Sequence, residues 1–171
     1  MRGIVVLCCL AGCAEQQEPP VDQCAVKPLI VGGAAEIGLG TLDDISLFRP
    51  VVAGEDLTVQ PGIQYLLISV LNLRTRDMTL GLGDEGGQVE FTALDPNGQI
   101  VSLVDGCRVR DFAPNSEGYL QLTTPFALPF TGAAAAALDN VPITVHVDVR
   151  DPEGRQASNE ASFVFRHPPM M

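Results

Sequence analysis

Tryptophan is absent from the 171 residues, tyrosine occurs twice, and lysine occurs once, as Lys27, the other nine bases being arginine. Aromatic residues make up only 5% of the chain. The flat rings on which sugars usually stack are therefore scarce, which argues against carbohydrate binding. Bases are also few: 10 against 21 acids gives a formal charge of −11. A field of that sign repels nucleic acid and anionic membrane surfaces alike. Histidine is limited to His146 and His167. A zinc site needs three or four converging ligands, and neither histidine has a partner at ligand spacing. No G-x-S-x-G elbow is present to set a nucleophile for hydrolysis. The glycine-rich stretch Gly81-Leu82-Gly83-Asp84-Glu85-Gly86-Gly87 carries two acids and no following Lys-Ser/Thr, so it would repel phosphate. The longest uncharged N-terminal run, from Gly3 to Ala14, is about half of the roughly 20 residues needed to cross a bilayer. No catalytic residue, metal ligand or cofactor is assigned on these grounds.

What remains is ordinary globular composition. Hydrophobic residues are 46% and charged residues 18%, which fits one folded domain with or without a tail and excludes a highly charged disordered chain. The first residues have a basic start at Arg2, an apolar run from Ile4 and small residues before Cys13, the pattern of a secretory targeting segment. Residues 15–23, Glu-Gln-Gln-Glu-Pro-Pro-Val-Asp-Gln, lack apolar periodicity and read as an extended tether.

From Pro28 to His167, short apolar runs alternate with Gly, Pro, Asn and Asp, an all-β pattern. Ile143 to Arg150 alternates β-branched and polar residues, predicting a strand with one buried face and His146 on the solvent face. Asp151-Pro152-Glu153-Gly154 fits a type I turn, and Ala161 to Arg166 is the expected return strand. A second hairpin is expected from Val89–Leu94 through Asp95-Pro96-Asn97-Gly98 and out along Gln99–Val104. The run Tyr65 to Leu73 is apolar on both faces and suits a covered central strand, with helix as the alternative. Further strands are expected at Ile45–Val52, Asp56–Val59, Cys107–Phe112 and Gly118–Thr124, and one short helix at Gly132–Leu138. Seven to nine strands without long helices predict a two-sheet antiparallel sandwich. Acidic loops at Asp43-Asp44, Asp84-Glu85, Asp139-Asn140 and Asp151 with Glu153 are the candidates for calcium, against turn chemistry and solubility as the alternative.

Leu10-Ala11-Gly12-Cys13 resembles the lipobox of bacterial lipoproteins, in which a diacylglycerol is attached to the cysteine and the signal is cut just before it. Cys13 alone follows the small residue that this processing requires, since Cys8 follows Leu7 and Cys9 follows Cys8. The resemblance implies lipidation at Cys13, and Ala14 after it implies sorting to the outer membrane. Removal of residues 1–12 takes Arg2 and no acid, leaving 9 bases against 21 acids and a charge of −12. Cys24 and Cys107 are then the remaining pair, and an oxidising compartment favours a bridge between them, with two separate thiols as the alternative.

The C-terminal strand, turn and strand also look like the last hairpin of immunoglobulin-like modules of bacterial surface proteins. Ile37-Gly38 with Gly40, Phe48 with Pro50, Gly54 with Leu57 and Gly62 with Gln64 are similar to uncharacterised lipid-anchored proteins with an immunoglobulin-like body. The chain departs from that pattern at Tyr65-Leu66-Leu67. The expected organisation is a signal at 1–12, a lipidated cysteine and tether at 13–27, an immunoglobulin-like β-sandwich at 28–167 and a tail at 168–171. The expected role is a structural or protein-interaction module at the envelope, held to the membrane by lipid on Cys13 and contacting another envelope protein. The alternatives are a calcium- or small-ligand-binding surface module and an enzyme with an unrecognised site.

Overall fold

A computed structural model describes residues 30–44, 47–62, 66–103 and 107–167. These fold as an immunoglobulin-like all-β sandwich of two sheets with one short α-helix. In chain order the strands are β1 (Ile30–Val31), β2 (Ala34–Leu39), β3 (Arg49–Pro50), β4 (Glu55–Thr58), β5 (Gln60–Pro61), β6 (Leu67–Arg76), β7 (Gly87–Leu94), β8 (Arg108–Arg110), β9 (Phe112–Pro114), β10 (Leu120–Leu122), β11 (Phe126–Phe130), β12 (Pro142–Arg150) and β13 (Arg155–Arg166). The helix α1 is Gly132–Leu138, capped where the Thr131 hydroxyl accepts from the Ala134 N–H.

The first sheet has the order β1-β13-β12-β7-β8, with β4 also pairing β13. The second has the order β3-β2-β6-β10-β9, with β5 and β11 also pairing β6. Alternation builds the core: Ile143, Val145, Val147 and Val149 of β12, and Val89, Phe91 and Ala93 of β7, point into the interior and are buried. The two Phe residues of β11 join the sheets. Phe126 stacks on Phe91 with ring centres 4.4 Å apart, and Phe130 meets Phe165 edge to face at 4.9 Å.

The apolar run at Leu67 is indeed a strand at the centre of its sheet, extending to Arg76. Several expectations are corrected. The pairing is not wholly antiparallel, because β1 and β4 both run parallel to β13 along one edge. Of the expected Gln99–Val104 return strand, Val104 lies outside the described residues, and 99–103 form no strand. Only an isolated bridge, Leu94 to Ile100, follows the turn. Beyond it the Ser102 hydroxyl accepts from the Ala93 N–H at 3.0 Å, displacing the backbone carbonyl that a ladder needs, and the Leu103 N–H turns to the Pro129 carbonyl. Of the strand expected at Ile45–Val52, residues 45 and 46 lie outside the described residues, and within 47–52 only Arg49–Pro50 is strand. The one expected at Cys107–Phe112 is divided, β8 in one sheet and β9 in the other, with Asp111 between them.

One turn design occurs three times among the described residues. Asp95, Asn115 and Asp151 each accept, through one side-chain oxygen, the N–H groups two and four residues on. Gly98, Gly118 and Gly154 follow with φ of 76°, 79° and 91°, the left-handed conformation this loop requires. Asp151 goes further. Its buried second oxygen accepts from the Thr79 N–H at 3.1 Å, and the Arg155 guanidinium lies 3.9 Å away, so this carboxylate pins the β12–β13 turn to the chain leaving β6. We expect Asp151→Ala to lose about 2–3 kcal/mol in urea unfolding, because it removes a buried charged acceptor shared by three backbone N–H groups. Asp151→Asn should lose less, keeping the turn as Asn115 does, and Asp95→Ala should shift the unfolding midpoint less than Asp151→Ala.

Candidate functional site

The side chains that meet between the sheets form one apolar cluster, and the polar groups with chemistry to offer stand on the two outer sheet faces and in the loops. On the outer face of the β12–β13 pair, His146, Asp148 and Arg150 project beside Gln156, Ser158 and Glu160. His146 spends both ring nitrogens on carboxylates, with Nε2 3.0 Å from Asp148 and Nδ1 3.3 Å from Glu160. Asp148 also accepts hydrogen bonds from the Ser158 hydroxyl and the Gln156 amide. Burial opposes ionisation of this carboxyl, but the bonds from Ser158, His146 and Gln156 outweigh it and hold its pKa below the ordinary carboxylate value.

The other outer face is organised around β6. Asn72, Arg74 and Arg76 project from it on one side, because strand residues alternate. Asn72 is buried there by the loop before β3, its amide donating to the Leu47 carbonyl at 2.7 Å. Phe48 lies flat on β2 at Gly38, where a Cβ would come within 2.5 Å of the ring. The Arg74 guanidinium is held between two rings, 4.3 Å from the Phe48 centre and 3.9 Å from the Tyr119 centre, and Arg76 stacks on Tyr119 at 3.6 Å. The Arg74 Nε donates to Glu36 at 2.8 Å and its Nη1 to Glu117 at 2.5 Å. Desolvation works against the Arg74 charge, yet Glu36 foremost, with Tyr119 and Glu117, raises its pKa above the usual arginine value. Beside this stack, between Phe48 and the β9–β10 hairpin, lies a cleft of about 560 Å³.

Cys13 and Cys24 lie outside the described residues, and so does Tyr65. Cys107 is half-buried immediately before β8. His146 lies on the outer face of its strand, as its spacing predicts, though 31% exposed and paired rather than bathed in solvent. Among the acidic loops, Asp151 is consumed as the turn pin, and Asp139 accepts the His167 N–H and the Asn140 amide. Among the described residues no group of three or more His, Cys, Asp and Glu is disposed to hold a metal ion. The glycine loop carries a short 3₁₀ turn at Gly83–Glu85, tied by the Gly83 N–H to Asp111. Sequence reasoning misses Arg74, although Leu71-Asn72-Leu73-Arg74-Thr75-Arg76 carries the alternation that puts its polar members on one face.

Because the folded Asp148 carboxyl titrates below its unfolded value, its contribution to stability is present above the unfolded pKa and disappears as pH falls through the folded one. Ser158→Ala should therefore raise the Asp148 titration midpoint followed by carbonyl-carbon NMR. It should also destabilise the protein at neutral pH while leaving little difference from wild type below the folded value.

No family model matches the chain, and no curated protein matches it. Among solved structures, the chain is similar to CopC from Methylosinus trichosporium OB3b, at 13% identity and a TM-score of 0.36, over 70% of this chain and 90% of that one.

Proposed function

We propose that this chain is an exported envelope lipoprotein, anchored through lipid on Cys13 in the outer membrane, whose sandwich serves as a structural or protein-interaction module rather than as an enzyme. The observation that supports a non-enzymatic role is how the polar groups are spent. His146 is shared between two carboxylates, Asp151 caps a turn and binds Thr79, and Arg74 is enclosed by rings and acids. None of these three is poised as a base beside a nucleophile. Two features support an interaction module. Sheet one ends at β8, a terminal strand that presents exposed Val109, and exposed Leu82 lies on the neighbouring loop. Among the described residues no helix is long and apolar enough to cross a membrane, and the support for anchoring is the lipobox pattern Leu10-Ala11-Gly12-Cys13.

The same reading includes a Cys24–Cys107 bridge. In the first sheet β1 and β8 lie at opposite ends of the order, four strand spacings or about 19 Å apart. The six residues from Cys24 to Ile30 can span about 20 Å when extended. The bridge is therefore within reach.

Mass spectrometry of protein extracted from membranes should find acyl chains on an N-terminal Cys13, and Cys13→Ser should release the protein from the membrane fraction. An unmodified N-terminus beyond Cys13 would overturn the anchor. In the mature protein, alkylation under non-reducing denaturing conditions should leave Cys24 and Cys107 unlabelled, whereas two labelled thiols would refute the bridge.

A further inference from the structure

We propose that the cleft between Phe48 and the β9–β10 hairpin is a binding site for a small ligand carrying a carboxylate, which takes the place of Glu117 on Arg74. This site is independent of whether Cys13 carries lipid.

In a protein of charge −11, Arg74 and Arg76 are brought to one face of β6, and both guanidiniums lie over the Tyr119 ring. Arg74 is only 11% exposed, its guanidinium carbon lies over both the Phe48 and the Tyr119 rings, and its Nε is tied to Glu36. A guanidinium so enclosed and tethered presents its remaining N–H groups in a set direction, the arrangement that suits a carboxylate. Its two acidic partners differ. Glu36 stands directly across the β2–β6 pair and is part of the sheet. Glu117 reaches in from the tip of the Asn115–Tyr119 turn and is 63% exposed. An ion pair with so exposed a partner contributes little, so an incoming carboxylate can exchange with Glu117 at small cost.

The cleft has room and suitable walls for the body of such a ligand. Arg74 and Glu117 stand at its wall together with the Phe48 ring, which offers an apolar surface. Asn115, Gln121 and Thr123 contribute amide and hydroxyl groups to the lining. The Asn115 amide donates to the Gln121 carbonyl oxygen at 3.2 Å, which orients both side chains. Displaced Glu117 can turn to solvent without altering the hairpin, whose frame is the Asn115 oxygen bonded to the Glu117 and Tyr119 backbone N–H groups. The site therefore combines a fixed cation, an exchangeable internal carboxylate and an apolar wall.

Phenylacetate and its neutral analogue phenylacetamide are suitable probes. Each would be titrated at neutral pH into wild-type protein and Glu117→Gln, following the Arg74 Nε–H resonance by NMR. Phenylacetate should shift that resonance saturably and phenylacetamide should not. Glu117→Gln, which removes the competing carboxylate, should bind phenylacetate about three- to fivefold more tightly. Arg74→Lys, which loses the planar fork, should abolish the saturable shift that phenylacetate produces in the backbone amide resonances of Glu117 and Thr123, which both proteins retain. Should Arg74→Lys fail to fold, the acid and amide comparison in wild type and Glu117→Gln still decides. The proposal is overturned by the absence of a saturable shift in both of those proteins. It is equally overturned by equal binding of acid and amide, or by Glu117→Gln binding no more tightly than wild type.

Discussion

Both edges of β6 carry partner strands along most of their length, and the second sheet depends on that. Along one edge Ala34–Leu39 takes the half from Leu71 to Arg76, and Gln60–Pro61 takes Leu67 and Ile68. Along the other, Leu120–Gln121 pairs with Arg74 and Thr75, while Phe126–Phe130 pairs with Leu67 to Leu71. Backbone groups in a sheet interior must find partners. A strand served by four shorter ones ties distant parts of the chain to a single register. The same register sets the two faces. Inward it sends Leu71 and Leu73 to the core, and outward it sends Asn72 under the loop at Leu47 and Arg74 between Phe48 and Tyr119.

The two outer faces handle charge in different ways. Around Asp148 the partners are an imidazole from its own strand and hydroxyl and amide groups from β13, so the carboxylate is stabilised by several modest bonds on a flat surface. Around Arg74 the partners include two rings and two carboxylates from separate segments of chain, and a cleft opens beside them. A flat, internally satisfied face suits contact with solvent or a protein surface. A recessed face with a cation at its wall suits a smaller molecule.

Strong period-two alternation makes β12 and β7 readable from the sequence, and the Asp-Pro-x-Gly turns at Asp95 and Asp151 are readable from their residue types. The third turn of the same kind, Asn115-Ser116-Glu117-Gly118, carries the same signal but lacks the proline that makes the other two conspicuous. β2 escapes because Ala34, Ala35, Glu36 and Gly38 have little intrinsic preference for strand, and tertiary pairing with β6 overrides that preference. β11 escapes because Pro129 argues against a strand interior, although its carbonyl is used by Leu103. The Arg74 cluster depends on Glu36, Phe48, Glu117 and Tyr119, of which Glu36 lies 38 residues and Glu117 43 residues from Arg74 in the chain. Spacing in sequence cannot reveal a group whose members are assembled only by sheet register.

At twelve residues, β13 is the longest strand, and one side of it faces away from β12. A bare strand edge of that length is a template on which a second copy of the chain could add. Instead β1 covers its start, β4 covers its end, and the Asn159 amide between them donates to the Ala35 carbonyl of the opposite sheet. Three short contacts thus occupy much of that edge and leave it a poor template for a second copy, so the first sheet offers its open end at β8 instead.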